Sequence, residues 1–551
     1  MPRTLSLFFL LLVTALGGLT ATAHAQERLP YDLAMEDLRF FLHSLEQIHP
    51  DPYTAFGGKL EFKRMARELL SEVPDSGLSA LEIHDLLLPM IAELGDGHTR
   101  LTPPQPVDGG APPAVLPVRF GITTDAIYIA RAASGYEDLA GHRLTQVEGR
   151  SVEKLRVDAR SILPAENDYG AARELTRALR SQRLAARLLG RQLESLKVTL
   201  DTRDGVSVMR VLPYAASSRW SWNERSESGV ETDGDAGQVG PIRWRILEPS
   251  GTGYLRLRLI EGREAFEEAK GRSDLPVYVS RYYDRYLDSD APEDLDSALA
   301  GIPCFTATVV DLLTAMRERG SEHLVVDVRG NGGGWSSLMT PLYLLLYGRS
   351  WAGHPFPDTW IDSASPQFLS MNGWSAEDLA REWGASYEPG DYRFDTPGSP
   401  QRGLEWSEYA ASLSPLGCGL ADLAEEIGGR PLYTTNVVVL TDSGTFSAAF
   451  HLAYTLWRLG AFLVGTPSAQ AGNAFTNVLR IELPNSRLTG SIARSAQLFF
   501  PGDRARGEVL MPDQQFEWQD LVRLGFDPDA ELLFTLELIA DGEADSPPPR
   551  E

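Results

Sequence analysis

Ser447 stands in the segment TDSGTFSAAF, where a buried strand pattern, NVVVLTD, gives way to a helical one, SAAFHLAYTLWRLG. A hydroxyl at such a junction lies beside the unpaired N–H groups of a helix start, which suits a nucleophile in acyl transfer, and the Ala448 N–H is placed to hold a developing oxyanion. A serine at this position also serves as an ordinary helix cap. A second segment, Arg329-Gly330-Asn331-Gly332-Gly333-Gly334, follows the strand pattern HLVVDVR directly. A glycine loop at the C-terminal end of a strand is where α/β proteins gather ligands, and its open backbone could supply another oxyanion donor. It does not fit a dinucleotide fingerprint, because Trp335 stands where the third glycine is needed and no phosphate-loop lysine follows. The third feature is Asp96-Gly97-His98-Thr99, whose histidine could reach a serine as general base. His451, one helical turn after Ser447, competes for that role, although its side chain is expected along the helix flank.

These residues need elements to carry them. Apolar residues at helical spacing from Leu29 to Leu101 predict an N-terminal helical unit that ends on His98, and the Pro/Gly-rich stretch from Pro103 to Pro117 predicts a boundary. The alternating segments PVRFGI, AIYIARA and HRLTQVEG, the helical pattern Ala171 to Gln192 and the run KVTLDTRDGVSVMRVLPY predict a small β-rich module with helices. Ala215 to Gly240 carries no period and reads as a linker. Beyond it TGYLRLRLI, HLVVDVR, NVVVLTD and AFLVGT alternate with helical patterns, the order of a parallel α/β sheet. Trp351 to Gly429 is longer than most connections inside a domain and reads as an insertion over the site. The acidic, proline-containing end, Asp541 to Glu551, is expected to be disordered.

With 51 Lys and Arg against 76 Asp and Glu, the formal charge is −25, which repels phosphate backbones and argues against nucleic acid as a partner. Met1-Pro2-Arg3, the apolar run Leu5 to Leu19 and Ala23-His24-Ala25 have the three parts of a secretory signal, cleaved near Ala25, so a periplasmic or extracellular location is expected. No later stretch reads as a membrane span. Cys304 and Cys418 could form one bridge in an oxidising compartment, and the spacing of these and the nine histidines gives no support for a metal site. No metal or cofactor is expected.

Taken together, HSLEQIHPDPY and ELGDGHTRL near the N-terminus and GYLRLRLI, VVDVRGNGGG, VVLTDSGTFSAAF, FLVGT, IELPNSRL and VLMPD further on resemble the S41 peptidases, which include carboxy-terminal processing proteases, tricorn core proteases and interphotoreceptor retinoid-binding proteins. That resemblance implies an α/β, crotonase-like (ClpP/crotonase) catalytic core with an N-terminal helical unit and a PDZ-like, β-rich middle module. It divides the chain into a signal peptide (1–25), a helical unit (26–104), a middle module (112–213), a linker (214–240), a catalytic domain (241–540, with insertion 351–429) and a tail (541–551). It further implies Ser447 as nucleophile and an oxyanion hole of Ala448 with Gly332 or Gly333. Processing proteases carry a lysine base in the segment that here reads Gly465-Thr466-Pro467-Ser468-Ala469-Gln470-Ala471-Gly472, and none is present. The chain is therefore similar to the tricorn-like branch, in which the histidine of a G-H-T or S-H-T motif, here His98, is the base and a late glutamate, here Glu508, orients it. Gly97 and Phe450 depart from the residues usual at their positions. The implied function is hydrolysis of a peptide or protein substrate by an exported serine peptidase. The alternatives are a non-catalytic ligand- or peptide-binding member of the same fold and an esterase-like acyl hydrolase.

Overall fold

The computed structural model describes residues 28–104, 112–222, 240–354, 359–395, 404–500, 507–545 and 547–550. The signal-like segment and most of the linker lie outside them.

The N-terminal unit is built on α1 (Tyr31–Ile48), α2 (Lys59–Ser71) and α3 (Ala80–Glu93). The apolar positions that recur along α1 and α3, among them Leu38, Leu45, Ile83, Leu87 and Ile91, are buried against one another. Ser79 starts α3 with a reciprocal capping box to Glu82, so the first-turn N–H groups are satisfied locally. Just past its end the chain turns through Asp96 to His98 and pairs briefly as Arg100–Leu101 with a distant strand described below.

The middle module contains β1 (Val118–Ile122), β2 (Ile127–Ala132), β3 (Arg143–Val147), α4 (Val152–Ala159), α5 (Asp168–Arg180), α6 (Gln182–Leu189), β4 (Ser195–Asp201) and β5 (Ser207–Pro213). Its antiparallel strands run in the order β5-β4-β3-β2-β1. One face, with Ile129, Leu144, Val198 and Leu200, is covered by Leu155 of α4 and Leu175 and Leu179 of α5.

The third unit begins with β6 (Ile242–Leu247) and β7 (Thr252–Leu257), an antiparallel pair. Helix α7 (Phe305–Arg319) leads into β8 (His323–Asp327), and α8 (Thr340–Tyr347) follows the glycine loop. Strands β9 (Thr359–Ser363) and β10 (Tyr392–Asp395) come from the insertion, then β11 (Asn436–Thr441), α9 (Ala448–Arg458), β12 (Phe462–Gly465), β13 (Asn473–Glu482), β14 (Thr489–Leu498) and α10 (Ala530–Ala540). The main sheet runs β6-β7-β8-β11-β12 and ends on Gln514–Gln515, parallel from β7 onward. Alternation decides the layers: Leu324, Val326, Val437 and Val439 face α7, α8 and α9, while Val325, Val438, Leu440 and Val464 face Phe516, Trp518 and α10. Apolar runs without a polar face are what a sheet covered on both sides requires.

The expectation of a crotonase-like core is corrected here. The parallel sheet is open and closes into no barrel or ring among the described residues, and β13 and β14 leave it to form a separate antiparallel sheet, β10-β9-β14-β13, which Arg100–Leu101 joins. Buried apolar runs specify that strands lie side by side, but not where a sheet ends or which strands desert it. Those are long-range choices made by the hairpin and the insertion. The insertion also packs Phe368, Leu369 and Leu379 into the N-terminal core.

One helical stretch, Leu295–Arg319, has the length and apolar composition to cross a membrane. It is interrupted between Ala300 and Phe305, and the apolar face of α7 lies in the core against β8. The C-terminal stretch, expected to be disordered, is docked in its described residues: Ala544 is buried, and Arg550 bonds the Ala461 carbonyl at 2.8 Å and Asp513 at 2.9 Å. Cys304 and Cys418 are joined in a disulfide.

Candidate active site

Two strand-end loops build one half of the site. Asp442, after β11, accepts N–H groups from Gly330 at 2.7 Å, Gly444 at 2.8 Å and Thr445 at 3.0 Å, and Thr445 donates its hydroxyl to the Val328 carbonyl at 3.0 Å. The loop after β8 is thereby clasped to the turn that precedes α9. Ser447 closes that turn with φ 54° and ψ −127°, a conformation that costs a non-glycine residue about 1–3 kcal/mol and persists only where surrounding bonds impose it. Gln470 imposes it in part, its Oε1 accepting the Ser447 N–H. Gly333 has to be glycine: its φ is +104°, and a Cβ would lie 2.5 Å from the Ser447 Cβ and 2.9 Å from the Ala448 nitrogen. The Gly333 N–H is spent on Asn331 Oδ1 at 2.8 Å. The N–H groups of Ala448 and Gly332 have no hydrogen-bond partner among the described residues.

The other half arrives from the N-terminal unit. Asp96 is fully buried and accepts the His98 N–H at 2.8 Å and the Thr99 N–H at 2.9 Å. Burial alone would raise its carboxyl, but His49, 3.5 Å away, and the other groups around it hold it well below the usual carboxylate range. Strand β14 grips the same loop, with Ser491 Oγ donating to the His98 carbonyl at 2.8 Å and the Ala493 N–H donating to Thr99 at 3.1 Å. The His98 ring lies 4.7 Å from that of Phe446, the residue before the serine. His98, Ser447 and Gly332 line one cavity of about 550 Å³. Neither His98 ring nitrogen has a hydrogen-bond partner among the described residues.

The carboxylate beside that ring comes from the middle module, which sequence reasoning left out of the site. Glu166, buried just before α5, has Oε1 at 3.6 Å from His98 Nδ1. The same oxygen accepts the Gly97 N–H at 3.1 Å, and Oε2 accepts the Ala471 N–H at 2.9 Å. Burial raises its carboxyl, opposed by His98. The neighbouring Asn167 bonds the Ser468 carbonyl at 3.0 Å, so this corner of the module is docked on the segment behind the nucleophile. Gly97 now has a physical reason, since a Cβ there would lie 2.6 Å from the Phe446 ring and 2.9 Å from Glu166 Oε1. The only signal in the sequence was an acid in a loop, Pro164-Ala165-Glu166-Asn167, with nothing to tell it from a surface residue. Glu508 follows a segment outside the described residues, and its carbonyl accepts the Gly472 N–H at 3.1 Å.

His451 lines the cavity too, but both ring nitrogens are engaged, Nδ1 by Ser336 Oγ at 2.9 Å and Nε2 by Gln497 Oε1 at 2.5 Å. Burial, reinforced by the charge of His98, lowers it to about 4. Phe450 is fully buried beside Tyr454 and Phe499, so a core position occupies the place where a glutamate is usual. Asp96, His98 and Glu166 place one ligand atom each within 4.8 Å of one another, close enough to share a cation, although all four carboxylate oxygens are already within reach of N–H or imidazole donors. The arrangement suits the orientation of an imidazole.

No family model matches the chain, and no curated protein does. Solved structures do. Mature CPAF aligns with a TM-score of 0.52 at 15% identity, over 94% of this chain and 99% of that one. Mature CPAF complexed with lactacystin gives 0.51 at 16% identity, over 93% and 99%. The photosystem II D1 C-terminal processing protease aligns at 0.40 and 13% identity, over 93% and 98%. At such identities the CPAF likeness is one of fold. The shared fold extends over nearly the whole of both chains and is not a crotonase-like one.

Proposed function

We propose that this chain is an exported serine peptidase in which Ser447 is the nucleophile and His98 the general base. The observation that carries the reading is a serine in a strained turn at the start of α9, opening on the same cavity as a histidine whose ring nitrogens are uncommitted. In this mechanism His98 Nε2 takes the Ser447 proton as Oγ attacks a peptide carbonyl carbon. The oxyanion is held by the N–H groups of Ala448 and Gly332, Gly333 being committed to Asn331. His98 then gives its proton to the leaving amine, and water releases the acyl group by the reverse sequence. Glu166 faces Nδ1 and would keep its proton there, leaving Nε2 free to act; Glu508 is the alternative orienting acid. Peptides or protein segments are the substrates, and Trp360 and Met371 of the insertion shape access to the cavity. Export fits the bonded cysteine pair, which persists in oxidising compartments.

The test is labelling of the purified protein with a fluorophosphonate probe, comparing wild type with Ser447→Ala and His98→Ala. Labelling is expected in the wild type alone. Folded wild type that resists probes of several sizes would overturn the reading in favour of a binding protein, and turnover of simple esters but no peptides would make it an esterase.

A further inference from the structure

The chain carries a formal charge of −25, yet the charged side chains lining the cavity of Ser447 and His98 are mostly cationic: Arg100, Arg173, Arg272 and Arg494 against Glu261. Two of the four are neutralised by built pairs. Arg272 holds Asp274 through two bonds of 2.9 and 2.8 Å and lies over the Trp335 ring, and Arg494 bonds Asp362 at 2.9 Å and lies over Phe368. Arg100 and Arg173 differ. Among the described residues neither forms an ion pair, and Arg100 gives its Nε to the Gly97 carbonyl, with no carboxylate in contact. Glu174, whose charge reaches Arg100, is paired with Arg177 at 3.2 Å. Glu261 is the one acid in the lining, and burial raises its carboxyl against the opposing charges of Arg281, Arg285 and Arg480.

Two guanidinium groups with no carboxylate in contact, one of them lying over the Phe446 ring, thus line the space beside the nucleophile. Arg100 is two residues from His98 and exposed, and Arg173 is on α5, seven residues after Glu166. A guanidinium offers a planar fork of donors that matches a carboxylate, and a charge-assisted pair in a partly enclosed cleft is stronger than a neutral hydrogen bond. The molecule as a whole repels anions, so attraction to one is confined to the cleft.

We infer that the cleft selects peptides bearing a carboxylate close to the scissile bond, with Arg100 and Arg173 as the residues that determine this specificity. The inference rests on the peptidase reading above. The carboxylate comes from an internal Asp or Glu or from the peptide's own C-terminus, and the experiment separates them.

Matched fluorogenic peptides, acylated and amidated at their ends, would carry Glu, Gln or Lys in turn at each of the three residues on either side of the cleaved bond. A parallel series would have Gln throughout and a free C-terminal acid. Wild type is expected to favour Glu over Gln at one position by about tenfold in kcat/KM, or the free acid over the amide by a similar factor. Arg173→Gln and Arg100→Gln should each bring that ratio toward one. A ratio is the readout because a misfolded variant lowers both its terms together. Equal cleavage of Glu, Gln and free-acid peptides by a wild type that takes the fluorophosphonate probe overturns the specificity alone, as does a preference unchanged in both variants. A wild type that neither labels nor cleaves any peptide overturns the peptidase reading and this inference with it.

Discussion

Ser447 sits at φ 54°, where a side chain is strained and glycine is not. Ser447→Ala removes the hydroxyl and keeps the strain, whereas Ser447→Gly removes both. Both variants are expected to be inactive, with the glycine variant the more stable by about 1 kcal/mol in denaturant melts. A less stable glycine variant would mean that the turn is not strained. Glu166 makes the opposite pair of contributions, useful to chemistry and costly to folding. Its carboxyl is raised by burial above its unfolded value. The sign follows: such a group lends stability that is complete below the unfolded pKa and is lost as pH rises through the folded one. Glu166→Gln should therefore flatten the fall of Tm between weakly acidic and neutral pH while lowering kcat by about tenfold or more, because the imidazole loses the group that fixes its tautomer. An unchanged kcat would shift the orienting role to Glu508.

At the scale of elements, the position of His98 depends on a hairpin more than three hundred residues away. Strand β14 holds the His98 loop, and the turn joining β13 to β14 is in turn held by α1: fully buried Asp37 accepts the Asn485 N–H at 2.8 Å, its side-chain amide at 3.1 Å and the Ser486 N–H at 2.7 Å. Asp37→Ala strips three donors of a charged acceptor and should destabilise the fold by about 2–4 kcal/mol. Its effect on activity is expected to exceed what the unfolded fraction explains, because the hairpin that loosens holds the His98 loop. Thermal melts and kcat measured well below Tm check both parts, and a stable variant with normal kcat would show that the hairpin registers without α1.

Over the whole molecule, three units meet at one site: His98 from the helical unit and Ser447 from the α/β unit line the cavity, and Glu166 from the middle module lies against the His98 ring. The disulfide from Cys304, at the start of α7, to Cys418 in the insertion closes a separation of 114 residues. The chain-entropy model gives such a bridge about 4–5 kcal/mol, so Cys304→Ser with Cys418→Ser should lower Tm by several degrees, and an unchanged Tm would mean that the reduced fold holds the insertion unaided. Much of this was legible beforehand. Helical spacing announced α1 and α3, the runs HLVVDVR and NVVVLTD announced neighbouring buried strands, and the glycine loop and TFSAAF drew attention to the turns that meet at Ser447. These signals are local, set by the period of a helix or strand and by the backbone freedom of glycine. Glu166 beside His98, the Gln470 bond to the Ser447 N–H, the commitment of Gly333 to Asn331, the docked C-terminus and the hairpin's departure from the parallel sheet left no such trace. All but the Gly333–Asn331 bond join residues well separated in the chain, and a polar side chain reads the same in sequence whether it ends in solvent or in a buried bond. By itself the sequence determined which segments were helix, strand and turn; only the tertiary structure decided which carboxylate met the imidazole, because that depends on how three units, sharing core residues across their boundaries, pack together.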